Sequence, residues 1–196
     1  MKPFDPSVAI ILAAGKGKRM KSKTPKVLHP LSGMPLILYP LRLIAPFHFQ
    51  KTIVVVGHQA DQVEKALADH AGNIGQPVQI VLQDALNGTG DAVLRAAPLL
   101  TDFTGTVLIL NGDTPLLQAE TLTRLWETHQ NEKAILTFLT ADLPDPTGYG
   151  RVIRMKDGTI DRITEDKDAT PVERDVHETN AGTYLVDATF LFDALH

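Results

Sequence analysis

The stretch Val8-Ala9-Ile10-Ile11-Leu12-Ala13-Ala14-Gly15-Lys16-Gly17-Lys18-Arg19-Met20, closed by Pro25-Lys26, decides the fold. The apolar run Val8–Leu12 reads as a strand buried on both faces, as in a parallel sheet. It breaks into two glycines surrounded by Lys16, Lys18, Arg19 and Lys21. Glycine lets backbone N–H groups approach an anion closely, and the basic side chains supply countercharge for phosphate. Open α/β sheets place ligands at the carboxyl ends of their strands. The reading is therefore a cradle for a polyphosphate, such as a nucleoside triphosphate. The competing reading is a solvated basic turn.

Two better-known phosphate motifs do not fit. A Walker loop needs four residues between its first glycine and Gly-Lys-Ser/Thr. Here Arg19 follows Gly17-Lys18, and no glycine stands at the required upstream position. The dinucleotide fingerprint needs a third glycine, where Met20 stands, and an acid after the second strand. Gly57 and His58 follow Val54-Val55-Val56 instead.

With 196 residues, 43% of them hydrophobic, the chain can bury the core of one large domain or of one plus an appendage. The net charge of −4 sets the basic loop in a mildly acidic protein. A general nucleic-acid surface would need a broad basic face, so focused capture of a small anion is the better reading. The absence of cysteine excludes disulfides, thiol catalysis and cysteine metal sites. The seven histidines show no ligand spacing, which disfavours zinc. The run at 8–14 is too short to span a membrane, and its basic residues follow it, unlike those of a signal peptide. The expectation is a cytoplasmic protein with no nucleic-acid or membrane partner.

Along the chain, residues 1–7 read as a loose lead-in. Pro35 suits a first helical turn, and Leu36, Ile37, Tyr39 and Leu43 form a helical stripe that Pro40 should bend. Strands are predicted at Thr52–Val56, Val78–Leu82, Thr106–Leu110 and Ala134–Ala141. Helices are predicted at Gln59–His70, from Gly88-Thr89-Gly90 through Ala97, and at Ala119–Gln130. This alternation implies a Rossmann-like, mostly parallel sheet with helices on both faces. After Asp142 the rhythm changes. A hairpin of Val152–Ile153 with Ile160–Ile163 about Asp157-Gly158, a short strand at Thr183–Val186 and a helix at Ala188–Leu195 read as a smaller mixed β insertion. The expected division is a nucleotide-binding half, 1–141, and a sugar-binding part, 142–196.

Other residues carry chemistry only by position. Asp113 follows a buried strand by two residues and would face the same sheet edge as the glycine loop. It is a candidate magnesium ligand, although Asn111-Gly112-Asp113 is also good turn chemistry. Gln83 ends a strand near Gly88-Thr89-Gly90. Its amide holds donor and acceptor together, as pairing with a uracil-like imide requires. The alternative is helix capping by Thr89 beside a surface glutamine. Lys26, held by Pro25, could neutralise charge developing in phosphoryl or nucleotidyl transfer. Glu165 and Asn180 could bond sugar hydroxyls or be ordinary loop residues.

Taken together, Leu12-Ala-Ala-Gly-Lys-Gly-Lys-Arg-Met20 and Pro25-Lys26-Val-Leu-His29 resemble the signature of the sugar-phosphate nucleotidylyltransferases, a GT-A-like fold. The closer likeness is to the uridylyltransferase domains of bacterial N-acetylglucosamine-1-phosphate uridylyltransferases. It continues in Leu82-Gln83, Asn87-Gly88-Thr89-Gly90, Gly112-Asp113, Asp145-Pro-Thr-Gly-Tyr-Gly-Arg151, Glu165-Asp-Lys-Asp-Ala-Thr170 and Asn180-Ala-Gly182, over almost the whole chain. The resemblance implies that Leu12, Ala13, Ala14, Gly15 and Gly17 hold the nucleotide. Gln83, Gly88 and Thr89 would read the base, and Arg19 and Lys26 the phosphates. Asp113, beside Asn111 and Gly112, would bind Mg2+. Gly150, Glu165 and Asn180 would hold the N-acetylglucosamine moiety and the ribose side.

The implied reaction transfers a uridylyl group from UTP to N-acetylglucosamine 1-phosphate for cell-envelope precursors. The alternatives are another sugar phosphate or nucleotide, or a nucleotide-binding module without turnover. Lys18 stands where the family usually has Thr or Ser, and Asn111 where it commonly has a ring. The family's catalytic domain continues through a segment supplying an asparagine as second metal ligand, so a domain truncated at its C-terminus is expected at His196. The family's domain is often the N-terminal half of a bifunctional enzyme, and a homo-oligomer, trimeric if a β-helix acetyltransferase domain follows, is among the implied assemblies.

Overall fold

The computed structural model of the chain describes residues 4–15, 17, 20–85 and 87–195. In chain order it holds β1 (Ser7–Ala13), β2 (Pro30–Leu31), β3 (Met34–Pro35), α1 (Leu38–Ile44), β4 (Thr52–Val56), α2 (Ala60–Asp69), α3 (Ala71–Ile74), β5 (Gln79–Leu82), α4 (Thr89–Leu94), β6 (Thr106–Asn111) and α5 (Ala119–Asn131). Then come β7 (Leu136–Asp142), β8 (Arg151–Arg154), β9 (Ile160–Thr164), α6 (Pro171–Arg174), β10 (Glu178–Asp187) and α7 (Ala188–Leu195). The chain divides into two compact units: residues up to Thr137 together with those from Tyr184 onward, and Phe138–Thr183 between them.

The first unit is an α/β sheet. Strands β5, β4, β1 and β6 lie side by side and parallel, and Tyr184–Asp187 of β10 adds antiparallel to β6. Successive side chains on a strand point to opposite faces, so each strand feeds two cores. On one face Ala9, Ile11, Val54, Val56, Leu108 and Leu110 meet Leu41 of α1, Val63 of α2 and Leu122 of α5. On the other, Val8, Ile10, Ile53, Val55, Val107 and Ile109 meet Ala92 and Val93 of α4 and the α7 side chains. Both faces being covered explains why β1 and β4 read as continuous apolar runs. The register aligns Ala13 with Val56, Val56 with Leu82, and Leu12 with Asn111. All four parallel strands therefore end at one rim.

The second unit is a small β structure. Strands β8 and β9 form the antiparallel hairpin expected about Asp157-Gly158. The first part of β10 pairs with β8 through Thr179 and Arg151, and with β7. Arg151 is among the largest fully buried side chains. Its guanidinium donates to the Tyr149 carbonyl and, at 3.0 Å, to Asp166. A buried cation persists only when paired in this way.

Several local expectations are corrected. Residues 4–7 are not a loose lead-in: Phe4 is buried, donates its N–H to the Phe47 carbonyl at 3.1 Å and stacks on Trp126 at 4.3 Å. Pro35 sits in β3, not in a helix. Pro40 is the third residue of α1, within the first turn, where its missing N–H has no intrahelical partner to lose, so no bend is needed. Helix α4 stops at Leu94, and Ala97–Leu99 form a 3-10 turn, because Pro98 cannot supply the next N–H. Strand β10 is ten residues long, not a short strand. Among the described residues no helix is long and apolar enough to cross a membrane.

Candidate active site

The rim of the first unit collects most of the residues singled out above. Leu12 and Ala13 end β1, and Ala14 and Gly15 leave it. The N–H of Gly112 donates to the Leu12 carbonyl at 2.8 Å. A Cβ on Gly112 would lie 3.1 Å from that same oxygen, so a side chain there would press the chain after β6 away from β1 by a few tenths of an ångström. Gly57, after β4, presses on Ala14 in the same way: a Cβ there would sit 2.9 Å from the Ala14 Cβ. Glycines after two neighbouring strands therefore clamp the start of the basic loop.

Lys26 reaches the rim through its neighbours. Pro25 and Val27 are buried, and Lys26–Leu28 form a 3-10 turn closed by the Leu28 N–H on the Pro25 carbonyl at 2.9 Å. Gly17 packs against the Lys26 stem: a Cβ on Gly17 would lie 2.7 Å from the Lys26 Cβ, and Gly17 itself has φ of +55°. The Lys26 ammonium makes an ion pair with Asp113. Asp113 thus does face the glycine loop's anchor, as its position after β6 required. Asn111 ends β6, with its carbonyl accepting from the Thr114 hydroxyl at 2.8 Å. Arg19, Lys16 and Lys18 lie outside the described residues.

The base-side expectations change in detail. Gln83 continues the sheet ladder, its N–H donating to the Val56 carbonyl at 2.7 Å, and its side chain is 4% exposed. It is not a surface glutamine. Its Nε2 donates to the Gly88 carbonyl at 3.1 Å and to Asp91 Oδ2 at 2.6 Å. Asp91 Oδ1 accepts from Arg95 at 2.8 Å. The hydrogen bond from Gln83 first, then that from Arg95, holds the Asp91 carboxyl below its ordinary pKa. Gly88, with φ of 105°, is the N-cap of α4, and Thr89 makes no capping bond, so capping by Thr89 is also set aside. The sequence reading missed Asp91 and Arg95. Their signal was present: Asp91 precedes Arg95 by one helical turn, a spacing that pairs side chains.

Gly150, Glu165 and Asn180 come together in the second unit. A Cβ on Gly150 would lie 3.5 Å from Glu165 Oε1, and the Asn180 N–H donates to the Gly150 carbonyl at 2.9 Å. The Asn180 Oδ1 accepts from the Gly182 N–H at 3.0 Å.

As a cation site, the rim where β6 ends offers the Asp113 carboxylate, already paired with Lys26. No cluster of three or more His, Asp, Glu or Cys side chains suited to a metal occurs among the described residues. Magnesium is often held by one or two carboxylates, with waters and substrate phosphates completing the shell. The donor set therefore fits magnesium arriving with a polyphosphate and does not fit a zinc cage.

Comparison with known proteins bears on this arrangement. A model of the MobA-like NTP transferase domain matches residues 9–177. The bifunctional protein GlmU of Geobacter metallireducens is 49% identical over 95% of this chain, and that of Pelobacter propionicus 50% over 94%. The chain spans 38% and 39% of those two proteins. Among solved structures, HddC from Yersinia pseudotuberculosis superposes with a TM-score of 0.71 at 22% identity, over 96% of this chain and 80% of that one. A Bacillus anthracis protein crystallised with sucrose gives 0.76 at 21% identity, over 94% and 73%. These likenesses establish the expected fold.

Proposed function

The chain belongs to the MobA-like NTP transferase domain family, and we propose that it transfers a uridylyl group from UTP to N-acetylglucosamine 1-phosphate. The products would be UDP-N-acetylglucosamine and pyrophosphate. The observation that carries this reading is the meeting of Gly17, Lys26 and Asp113 at the rim where β1 and β6 end. A phosphate oxygen of the sugar 1-phosphate attacks the α-phosphorus of UTP in line. The new P–O bond forms as the bond to the bridging oxygen breaks, and pyrophosphate leaves. The nucleophile is already an anion, so no general base is required, and positioning with charge stabilisation does the work.

Each residue has a role in that scheme. The glycine loop lets backbone N–H groups approach the phosphates, with Arg19 and Lys26 as countercharge. Without ligand, Lys26 and Asp113 neutralise one another. With a triphosphate bound, Lys26 would turn to the phosphates and Asp113 would be the residue to hold a magnesium ion. Magnesium would supply charge neutralisation on the phosphates. Gln83, Gly88 and Thr89 take the base. Gly150, Glu165 and Asn180 take the sugar and ribose hydroxyls. The work belongs in the cytoplasm, where UTP is available, and feeds cell-envelope polysaccharide.

The test is pyrophosphate release from UTP with a panel of sugar 1-phosphates, in the chain and in its Asp113→Ala variant. Release with N-acetylglucosamine 1-phosphate, lost in the variant, is expected. Release with a different sugar 1-phosphate alone, or undiminished release by Asp113→Ala, would overturn the assignment.

A further inference from the structure

Resting on the nucleotide reading above, we propose that Asp91, braced by Arg95, fixes the Gln83 amide so that it offers the base only an acceptor, which selects uracil over cytosine. A free glutamine amide has both a donor and an acceptor to present. Here the donor is already spent. The two hydrogens of Nε2 go to the Gly88 carbonyl at 3.1 Å and to Asp91 Oδ2 at 2.6 Å. Neither of those oxygens can donate. Turning the amide over would set Oε1 against two acceptors and cost the buried Gln83 amide both of its hydrogen bonds, an unfavourable arrangement at a side chain this buried. The orientation is thus dictated by the chemistry of the neighbours.

Asp91 is held in turn. Its second oxygen accepts from the Arg95 guanidinium at 2.8 Å, one helical turn along. The carboxylate cannot swing away from Gln83 without breaking that pair. The Gln83 Oε1 takes no hydrogen bond from the described residues. Among the described residues it is the part of the amide left to meet a ligand. The Watson–Crick edge of uracil has an N–H at position 3, which pairs with such an oxygen. Cytosine has a bare nitrogen lone pair at that position, which repels it. A site built to accept from a ligand N–H discriminates strongly against an analogue lacking it.

Asp91 and Arg95 are positioning residues in this scheme, since they reach the base only through Gln83. Their contribution should appear in selectivity and not in the chemical step. The experiment is equilibrium binding of UTP and of CTP, each with Mg2+, to the chain, to Asp91→Ala and to the same-shaped Asp91→Asn. The unaltered chain is expected to prefer UTP by about tenfold or more. In Asp91→Ala the amide is free to turn its NH2 toward cytosine, and the UTP-to-CTP ratio should fall about tenfold, chiefly by a gain in CTP affinity. Asp91→Asn can accept or donate and should lower the ratio as well, which keeps the test alive if Asp91→Ala does not fold. Parallel losses for both nucleotides, with the ratio unchanged, would mean a structural role only and would overturn the proposal. Equal affinities or a CTP preference in the unaltered chain would overturn it too. Absence of any triphosphate binding to the folded chain would instead overturn the nucleotide reading on which it stands.

Discussion

Adding one methyl group at Gly17 and one at Gly15 should have opposite consequences, although the two glycines are two residues apart. At Gly17 the backbone is left-handed, φ +55°, which costs an L side chain about 1–2 kcal/mol. The new Cβ would lie 2.7 Å from the Lys26 Cβ. Nonbonded carbons rest about 3.5–4.0 Å apart, so one partner must retreat by roughly 1 Å. The obstacle is the root of the side chain, which cannot swing aside as a flexible tip would. Overpacking of this kind costs about 1–3 kcal/mol, and Gly17→Ala should therefore lose about 2–5 kcal/mol in total. At Gly15 no atom of the other described residues lies within 4 Å of the built Cβ, and φ is not left-handed. Gly15→Ala should keep its stability or gain up to about 1 kcal/mol from a less flexible unfolded chain. Its methyl group would, however, stand where the loop backbone is proposed to meet phosphate, so UTP affinity should fall about tenfold or more. Urea unfolding followed by Trp126 fluorescence measures the first quantity. Trp126 is the only tryptophan and is stacked on Phe4 in the first unit. Nucleotide titration measures the second. Unchanged stability in Gly17→Ala, or a Gly15→Ala protein that loses stability and keeps its UTP affinity, would refute the reasoning.

Three further outcomes follow from the same geometry. Lys26→Met should cost less than about 1 kcal/mol of stability, because the pair with Asp113 is solvent-accessible, yet slow pyrophosphate release by about a hundredfold; a large stability loss in urea titration would contradict this. Glu173 has its carboxyl lowered to about 2 by the Thr170 backbone and hydroxyl and then by Arg162. A group with a depressed folded pKa stabilises fully above its unfolded value of 4.5, and that contribution is lost as pH falls toward 2. Glu173→Gln should thus destabilise at pH 7, by an amount that shrinks as pH falls from 4.5 toward 2, while a gap that does not change with pH across that range would contradict the assignment. Arg151→Met should raise amide hydrogen exchange in β8 and β9 and cost about 1–3 kcal/mol, since Asp166 and the Tyr149 carbonyl lose their buried donor; unchanged protection would contradict that role.

The sheet was legible because its strands advertise themselves. Val8–Leu12 and Ile53–Val56 are apolar at every position, the pattern of a strand buried on both faces. Helix α7 was read to the residue because its apolar stripe is complete between Val186 and the chain's end. Proline misled at Pro35 and Pro40, where tertiary packing set the helix start three residues later than local preference suggests. Phe4 was missed because a lone aromatic after Pro3 carries no periodicity; its place comes from Phe47, Phe49 and Trp126, far along the chain.

In the candidate site, the meeting of Asp113 and Lys26 at one strand rim was legible because their positions relative to a strand end and a proline constrain them locally. What sequence could not yield was polarity. Gln83 reads as a residue able to donate and accept, and only the acceptors at Gly88 and Asp91 reveal that its donors are spent. Gly57 likewise looked like a turn residue, whereas its closeness to Ala14 follows from the register of β1 with β4.

Calorimetric titration of UTP into the chain and into Asp113→Ala, each with and without Mg2+, tests the central claim most directly. If Gly17, Lys26 and Asp113 surround one triphosphate–magnesium complex, Mg2+ should strengthen UTP binding by about tenfold or more in the chain and have little effect in the variant. An equal strengthening by Mg2+ in both proteins would contradict the account.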